Sequence, residues 1–205
     1  MKKCGHFLSV SRLFCKRMRK LASFTIISLD GFFAGPNGEI DWFKNNDDED
    51  NAFAHEQADP ASTLIFGRTT YGMMKSFWPS PFAVKNDPVI AGVMNNAQKI
   101  VFSKTMEPEK DGPVWKNVRV ISEMSPDAIR KLKEEPGGDM VILGSGSIVR
   151  QLANLGLIDE FGLLVNPIIL GAGQYLFRYM KKMNLKLLEA RSFGSGKVFL
   201  RYRPV

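Results

Sequence analysis

Apolar residues fall along this chain in two rhythms. Short runs rich in β-branched and aromatic residues read as strands: LASFTIISL (21–29), TLIF (63–66), KIVFS (99–103), VRVI (118–121), MVIL (140–143), FGLLVNPIIL (161–170), LKLLEARSF (185–193) and KVFLRYR (197–203). Between the early runs, stretches at about 47–58, 69–77, 88–96, 125–134 and 147–155 carry apolar residues at helical spacing. Ser125 followed by Pro126 predicts a helix start, because the hydroxyl can accept an orphan first-turn amide and proline's fixed φ suits the first helical position. No helical stretch follows Gly156, the last three runs lie too close together for crossover helices, and Gly194-Ser195-Gly196 predicts a hairpin turn. The pattern predicts an α/β fold: a single three-layer domain with a mixed, mostly parallel sheet, antiparallel C-terminal strands, and helices on its faces.

A length of 205 residues fits one domain. The net charge of +7 hints at nucleic acid until the charges are located: residues 1–20 hold seven basic side chains and no acid, which leaves 21 of each sign from residue 21 onward. A neutral body removes the electrostatic case for a phosphate-backbone partner. Residues 1–17 read as a basic N-terminal extension, and residues 18–205 as the folded domain. Arg12 interrupts the one candidate apolar run of a secretory signal, and no run of about 18 apolar residues exists to span a membrane. Cys4, Cys15 and His6 all lie in the extension, so the body offers one imidazole, His55, and no thiol. No metal site, disulfide framework or Cys/His nucleophile is expected there, and a reducing, cytoplasmic setting fits.

Two strands run directly into glycine and then into a helix start. One is Thr63-Leu64-Ile65-Phe66-Gly67-Arg68-Thr69-Thr70; the other is Val141-Ile142-Leu143-Gly144-Ser145-Gly146-Ser147. Beyond the end of a parallel strand, a residue without Cβ lets a ligand approach the backbone, and the amides and dipole of the next helix favour an anion. Two such bends in one sheet could hold a dinucleotide's phosphates between them. Each glycine also reads as a tight turn, and each hydroxyl as a helix cap. A P-loop is absent, Gly144-x-Gly146 has Val149 where a Rossmann fingerprint needs its third glycine, and no Gly-x-Ser-x-Gly turn occurs. Arg68 beside the first bend, with Ser103 and Lys104 at the next strand end, offers the charges and hydroxyl that a ribose 2′-phosphate needs, which favours NADPH over NADH.

Five segments in order carry a family resemblance: Ile27-Ser28-Leu29-Asp30-Gly31-Phe32 with Ala34; Leu64 to Tyr71; Ile100-Val101-Phe102-Ser103; Val141 to Gly146; and Asn166 to Gly173 followed by Leu176-Phe177. From about Met18 onward the chain resembles the dihydrofolate reductase fold, and more closely the reductase domain of the bifunctional riboflavin-biosynthesis deaminase/reductase with its stand-alone relatives. The resemblance implies that Gly67, Arg68, Thr69 and Ser103, with Lys104 beside them, hold the adenosine and 2′-phosphate end of NADPH, and Gly144, Ser145, Gly146 and Ser147 its pyrophosphate. The loop after Asp30, through Gly31 to Trp42, would cover the nicotinamide and substrate. Asp47 matches by spacing the carboxylate that holds the pterin in dihydrofolate reductases. It sits in an acidic run of the kind that also stabilises a helix N-terminus. Asp30 and Asp47 are the candidates for orienting the substrate, and Gly171 and Gly173 for letting a phosphorylated ribose approach the backbone. The resemblance further implies a homodimer and a small-molecule substrate, a ribosylamino-pyrimidine first and dihydrofolate or another pteridine as runner-up. A non-catalytic nucleotide-binding protein of the same fold is the rival from another class. The zinc-ligand signature of the deaminase domain is missing.

Overall fold

The computed structural model describes residues 17–43, 48–107 and 115–205. In chain order the elements are β1 (Leu21–Ser28), β2 (Phe32–Ala34), α1 (Asp48–Gln57), β3 (Thr63–Gly67), α2 (Arg68–Phe77), α3 (Pro81–Asn86), α4 (Pro88–Asn96), β4 (Gln98–Phe102), β5 (Val118–Ile121), α5 (Pro126–Glu134), β6 (Met140–Leu143), α6 (Gly146–Asn154), β7 (Glu160–Asn166), β8 (Gln174–Tyr175), β9 (Leu185–Ser192) and β10 (Val198–Pro204). Eight strands form one sheet in the order β5-β4-β3-β6-β1-β7-β10-β9. The strands from β5 to β7 run parallel, and β10 is antiparallel to both β7 and β9, so the predicted mixed sheet with an antiparallel edge is what forms.

Alternation along each strand decides which layer it feeds. Ile65 on β3, Ile100 and Phe102 on β4, Met140 and Ile142 on β6, and Leu21 and Ile27 on β1 pack against Ile129 and Leu132 of α5 and Ile148, Val149 and Leu152 of α6. On the opposite face Leu64, Phe66 and Val101 meet Tyr71 of α2, Met94 of α4 and Trp115. Further along that face, Leu164 and Phe199 meet Phe53 of α1 and Phe193. The sheet is thus covered on both sides by helices, which gives the three layers the periodicity predicts.

Three departures from the sequence reading have local causes. The run 161–170 stops as a strand at Asn166, because Pro167 has no N–H for the ladder and the chain turns away there. The pair β2 and β8 forms a separate two-stranded sheet, and α3 starts at Ser80-Pro81 with the Ser80 hydroxyl accepting from the Ala83 N–H. The basic extension lies outside the described residues up to residue 16. Arg17 pairs with Asp139 at 2.8 Å, and Arg19 is buried, donating to Gly138 O and Thr63 Oγ1.

Candidate active site

Because β3 and β6 are neighbouring parallel strands, with Thr63, Leu64 and Ile65 facing Met140, Val141 and Ile142, their glycine bends emerge side by side. The Gly67 N–H donates to Ser145 Oγ at 3.0 Å, and that hydroxyl donates to Leu143 O at 3.3 Å. The two bends are therefore joined, and Ser145 is spent on the bridge. Gly144 holds φ +59°, the left-handed region where a side chain is strained, which is why this bend needs glycine. At Gly146 a Cβ would fall 2.5 Å from Phe33 Cε1, so the missing side chain gives Phe33 its place against the first turn of α6.

The helices that follow the bends begin without side-chain caps. Neither the Gly67 nor the Ser145 N-cap position supplies a capping hydrogen bond, and the first turns of α2 and α6 contain no acid. The reading of the bends' hydroxyls as helix caps is thus not what the structure shows. Two helix dipoles with uncapped starts meet at one end of the sheet, a favourable setting for an anion.

These helix starts border a cleft of about 830 Å³ on the sheet face that carries α1, α2 and α4. Its floor is apolar: Ala22, Phe24 and Ile26 of β1, Val141 and Leu143 of β6, and Leu164 and Phe199 beyond. One wall is Thr69, Thr70 and Met73 of α2 with Gly144, Ser145, Gly146 and Ser147; the facing wall is Asp50, Phe53, Ala54 and Gln57, one face of α1 at helical spacing. Asn37, Gly38, Ile40 and Phe43 bring the loop after Asp30 to its rim.

Of the residues singled out in the sequence, Thr69, Gly144, Ser145, Gly146 and Ser147 line this cleft. Gly67 reaches it through its bond to Ser145. Arg68, Ser103 and Lys104 gather just beyond, past the paired ends of β3 and β4. Arg68 donates to Thr105 Oγ1 at 2.8 Å, while Ser103 Oγ accepts from the Met106 N–H at 3.0 Å in a turn that presents Lys104 to solvent.

The substrate-side expectations divide differently. Asp30 does not line the cleft. Its carboxylate accepts from Ser28 Oγ at 2.6 Å, from Gly171 N at 2.8 Å and from Leu170 N at 3.2 Å. These bonds, the Ser28 hydroxyl foremost, hold its pKa below the usual carboxylate value. An anion fixed this way ties the end of β1 to the β7–β8 connection and is no proton donor near neutral pH. Gly171 belongs to that tie, and Gly173 lets β8 lie against β2, since a Cβ there would meet Ala34 O at 2.4 Å. Gly31 sits in the same joint, its carbonyl accepting from Leu176 N at 3.1 Å. Trp42 donates to Glu39 O at 3.2 Å and packs edge-on against Phe43, which does reach the cleft. Asp47 lies outside the described residues.

Sequence reasoning missed Asp50, Lys197, Arg150 and Phe33. Asp50 is buried, lines the cleft and is ion-paired with the equally buried Lys197. Arg150, one turn after Ser147 on α6, lines the cleft beside Phe33 and donates to Tyr175 O at 2.6 Å. Lys99 is the contrasting case. Burial pushes its pKa down to about 8, but its ammonium is spent on the carbonyls of Asn95, Ala97 and Lys116, over the Trp115 ring and away from the cleft. It closes the end of α4 and serves the scaffold. No group of three or more metal-ligating side chains occurs among the described residues.

The comparisons with known proteins decide the family. The sequence profile of the RibD C-terminal domain matches residues 19–199. The chain belongs to the RibD C-terminal domain family. Uncharacterized protein YyaP of Bacillus subtilis (strain 168) is 30% identical over 187 residues, covering 91% of this chain and 95% of that protein. A crystal structure described as a putative riboflavin biosynthesis protein from Shewanella sp. PV-4 superposes with a TM-score of 0.68 at 23% identity, covering 91% of this chain and 99% of the other. Dihydrofolate reductase from Enterococcus faecalis, solved with NADP(H), superposes with a TM-score of 0.60 at 17% identity over 90% of this chain and 96% of its own. These structures share the dihydrofolate reductase-like fold, as the resemblance in the sequence implies.

Proposed function

We propose that the protein is an NADPH-dependent reductase that transfers a hydride to a ribosylamino-pyrimidine resembling 5-amino-6-(5-phosphoribosylamino)uracil. The observation that carries the reading is the pair of uncapped helix starts, joined through Gly67 and Ser145, at the wall of an apolar cleft. A diphosphate fits this donor set: the amides of α2 and α6 with the hydroxyls of Thr69 and Ser147, and no acid in either first turn to oppose it. Arg68, Lys104 and Ser103 would hold the 2′-phosphate. Bound there, NADPH would supply the hydride from its nicotinamide. The chain's own part is to grip the phosphates, exclude water with its apolar floor and orient the acceptor.

The remaining expectations follow from this reading. Residues 18–205 form the reductase unit and residues 1–17 an extension to it. The protein works in the cytoplasm, supported by a body without cysteine. It works as a homodimer, supported by the leucines that edge strand β9 exposes, Leu185, Leu187 and Leu188.

Titration with both cofactors tests the assignment. Arg68→Ala is expected to weaken NADPH by roughly 1.5–3 kcal/mol, about ten- to a hundredfold, and to leave NADH nearly unchanged. Equal loss of both removes the 2′-phosphate role, and failure of the wild type to bind NADPH removes the reductase reading.

A further inference from the structure

The lining of the cleft changes character along its length. Where α2 and α4 form the wall, it is Met73, Met74 and Trp78 with Ile90, Val93 and Met94, and neither helix puts a charged side chain into the cleft. Ile90, Val93 and Met94 recur at helical spacing, so α4 turns one apolar face inward. That face is incompletely packed: Met94 is buried, but Ile90 and Val93 are only half-buried and Met73 is exposed. The one polar atom on these six side chains, Trp78 Nε1, already donates to Met74 Sδ at 3.2 Å. Ala54, Gln57 and Ala58 bring α1 and its end to the same cleft, and His55 Nε2 lies 3.0 Å from Oδ1 of Asp87, the carboxylate that caps α4. The two helices are thereby tied together beside an apolar arm of the cleft.

The reductase reading leaves this arm unused. A ribosylamino-pyrimidine has no hydrocarbon part to cover it, and the phosphate grip lies at the start of α2, more than one turn before Met73. Water gains little there, because a water molecule needs polar partners that the arm does not supply. Hydrocarbon gains more: each methylene moved from water to an apolar lining is favourable by itself, and the thioethers of Met73, Met74 and Met94 adapt to the shape laid against them. We infer that the α4 arm is a binding subsite for an uncharged hydrocarbon tail, so that the cleft takes flat lipophilic molecules carrying a short alkyl chain. The aromatic floor, Phe24 and Phe199, receives the ring. Val93, half-buried between Ile90 and Met94, sets how much tail the arm admits. This site goes beyond the reductase reading and needs no cofactor to form.

A homologous series tests it: para-methyl-, para-ethyl-, para-propyl- and para-butylphenol, flat and uncharged at neutral pH, titrated by calorimetry into the full chain without cofactor. Saturable binding is expected, tightening by about three- to fourfold with each added methylene, which makes butylphenol roughly fiftyfold tighter than methylphenol. Val93→Phe fills the arm and should reduce that ratio to about threefold or less, leaving methylphenol near its wild-type affinity. Val93→Asp puts a carboxylate at a half-open position and should weaken butylphenol by about tenfold or more, again with little change for methylphenol. Melting curves establish that each variant is folded, and the wild-type series decides even where neither is. NADPH affinity should stay within about twofold in both variants, because Val93 is no part of the phosphate grip. Equal affinity of the wild type for all four phenols, no binding of any, or a tail preference that survives in both folded variants overturns the inference. A wild type that prefers longer tails but does not bind NADPH removes the reductase reading and leaves the tail subsite standing.

Discussion

Five helices whose starts are described divide into two kinds. Before α3, α4 and α5 the chain closes its own first turn: Ser80, Asp87 and Ser125 accept from Ala83, Ile90 and Ala128, each ahead of a proline. Before α2 and α6 it does not: Gly67 has no side chain to offer, and Ser145 turns its hydroxyl to the neighbouring bend. The closed starts lie away from the joined glycine bends, although α4 lines the cleft with Ile90, Val93 and Met94. The open pair lies at adjacent strand ends beside the cleft. A chain able to cap three helices leaves two open at one spot, and under the proposed function those amides are kept for a partner of opposite charge.

Giving an open start its own anion should break this difference most strongly. Ser147→Asp places a carboxylate in the first turn of α6, where the dipole welcomes it, so thermal stability should hold or rise by about 0.3–1 kcal/mol. The same charge opposes a diphosphate, and NADPH should weaken by about 2 kcal/mol or more, roughly thirtyfold. Equal NADPH affinity in this variant, by fluorescence titration, removes the phosphate role of α6. The opposite outcome is expected at a closed start. Ser125→Ala should cost about 1 kcal/mol in denaturant unfolding and leave NADPH affinity unchanged. Together the two variants separate stability from binding in opposite directions.

Much of this was legible in the sequence, and the reasons differ by region. Eight strands and five of the helices follow from apolar runs and helical spacing, because most of them bury one face against a layer whose partner residues keep the same period; β9, exposed along its length, was legible from its β-like run and the Gly194-Ser195-Gly196 turn. The glycine bends were legible as candidates, since Gly-Arg-Thr-Thr and Gly-Ser-Gly-Ser interrupt strong strand runs. Their adjacency was not, because it depends on β6 inserting between β3 and β1. The strands β2 and β8, of three and two residues, are too short to carry a period. The helix α3 carries in Ser80-Pro81 the same signal that marks α5, and that signal could have found it.

Asp50 shows what one-dimensional reading lacks. It closes a run of four acids, Asp47 to Asp50, whose composition says surface. Only Phe53, Ala54 and Gln57 at the following helical positions mark the face that turns inward, and only the β9–β10 hairpin brings Lys197 to meet it. Conversely, Asp30 sits in a recognisable motif, yet three hydrogen bonds commit it to holding a loop.

The central claim is that the joined bends after β3 and β6 hold a diphosphate. A crystal structure of the protein grown with NADPH tests it most directly. The claim predicts the diphosphate between Thr69 and Ser147, within hydrogen-bond reach of the first-turn amides of α2 and α6, with the 2′-phosphate against Arg68. A cofactor seated elsewhere, with those amides still turned to water, would contradict it.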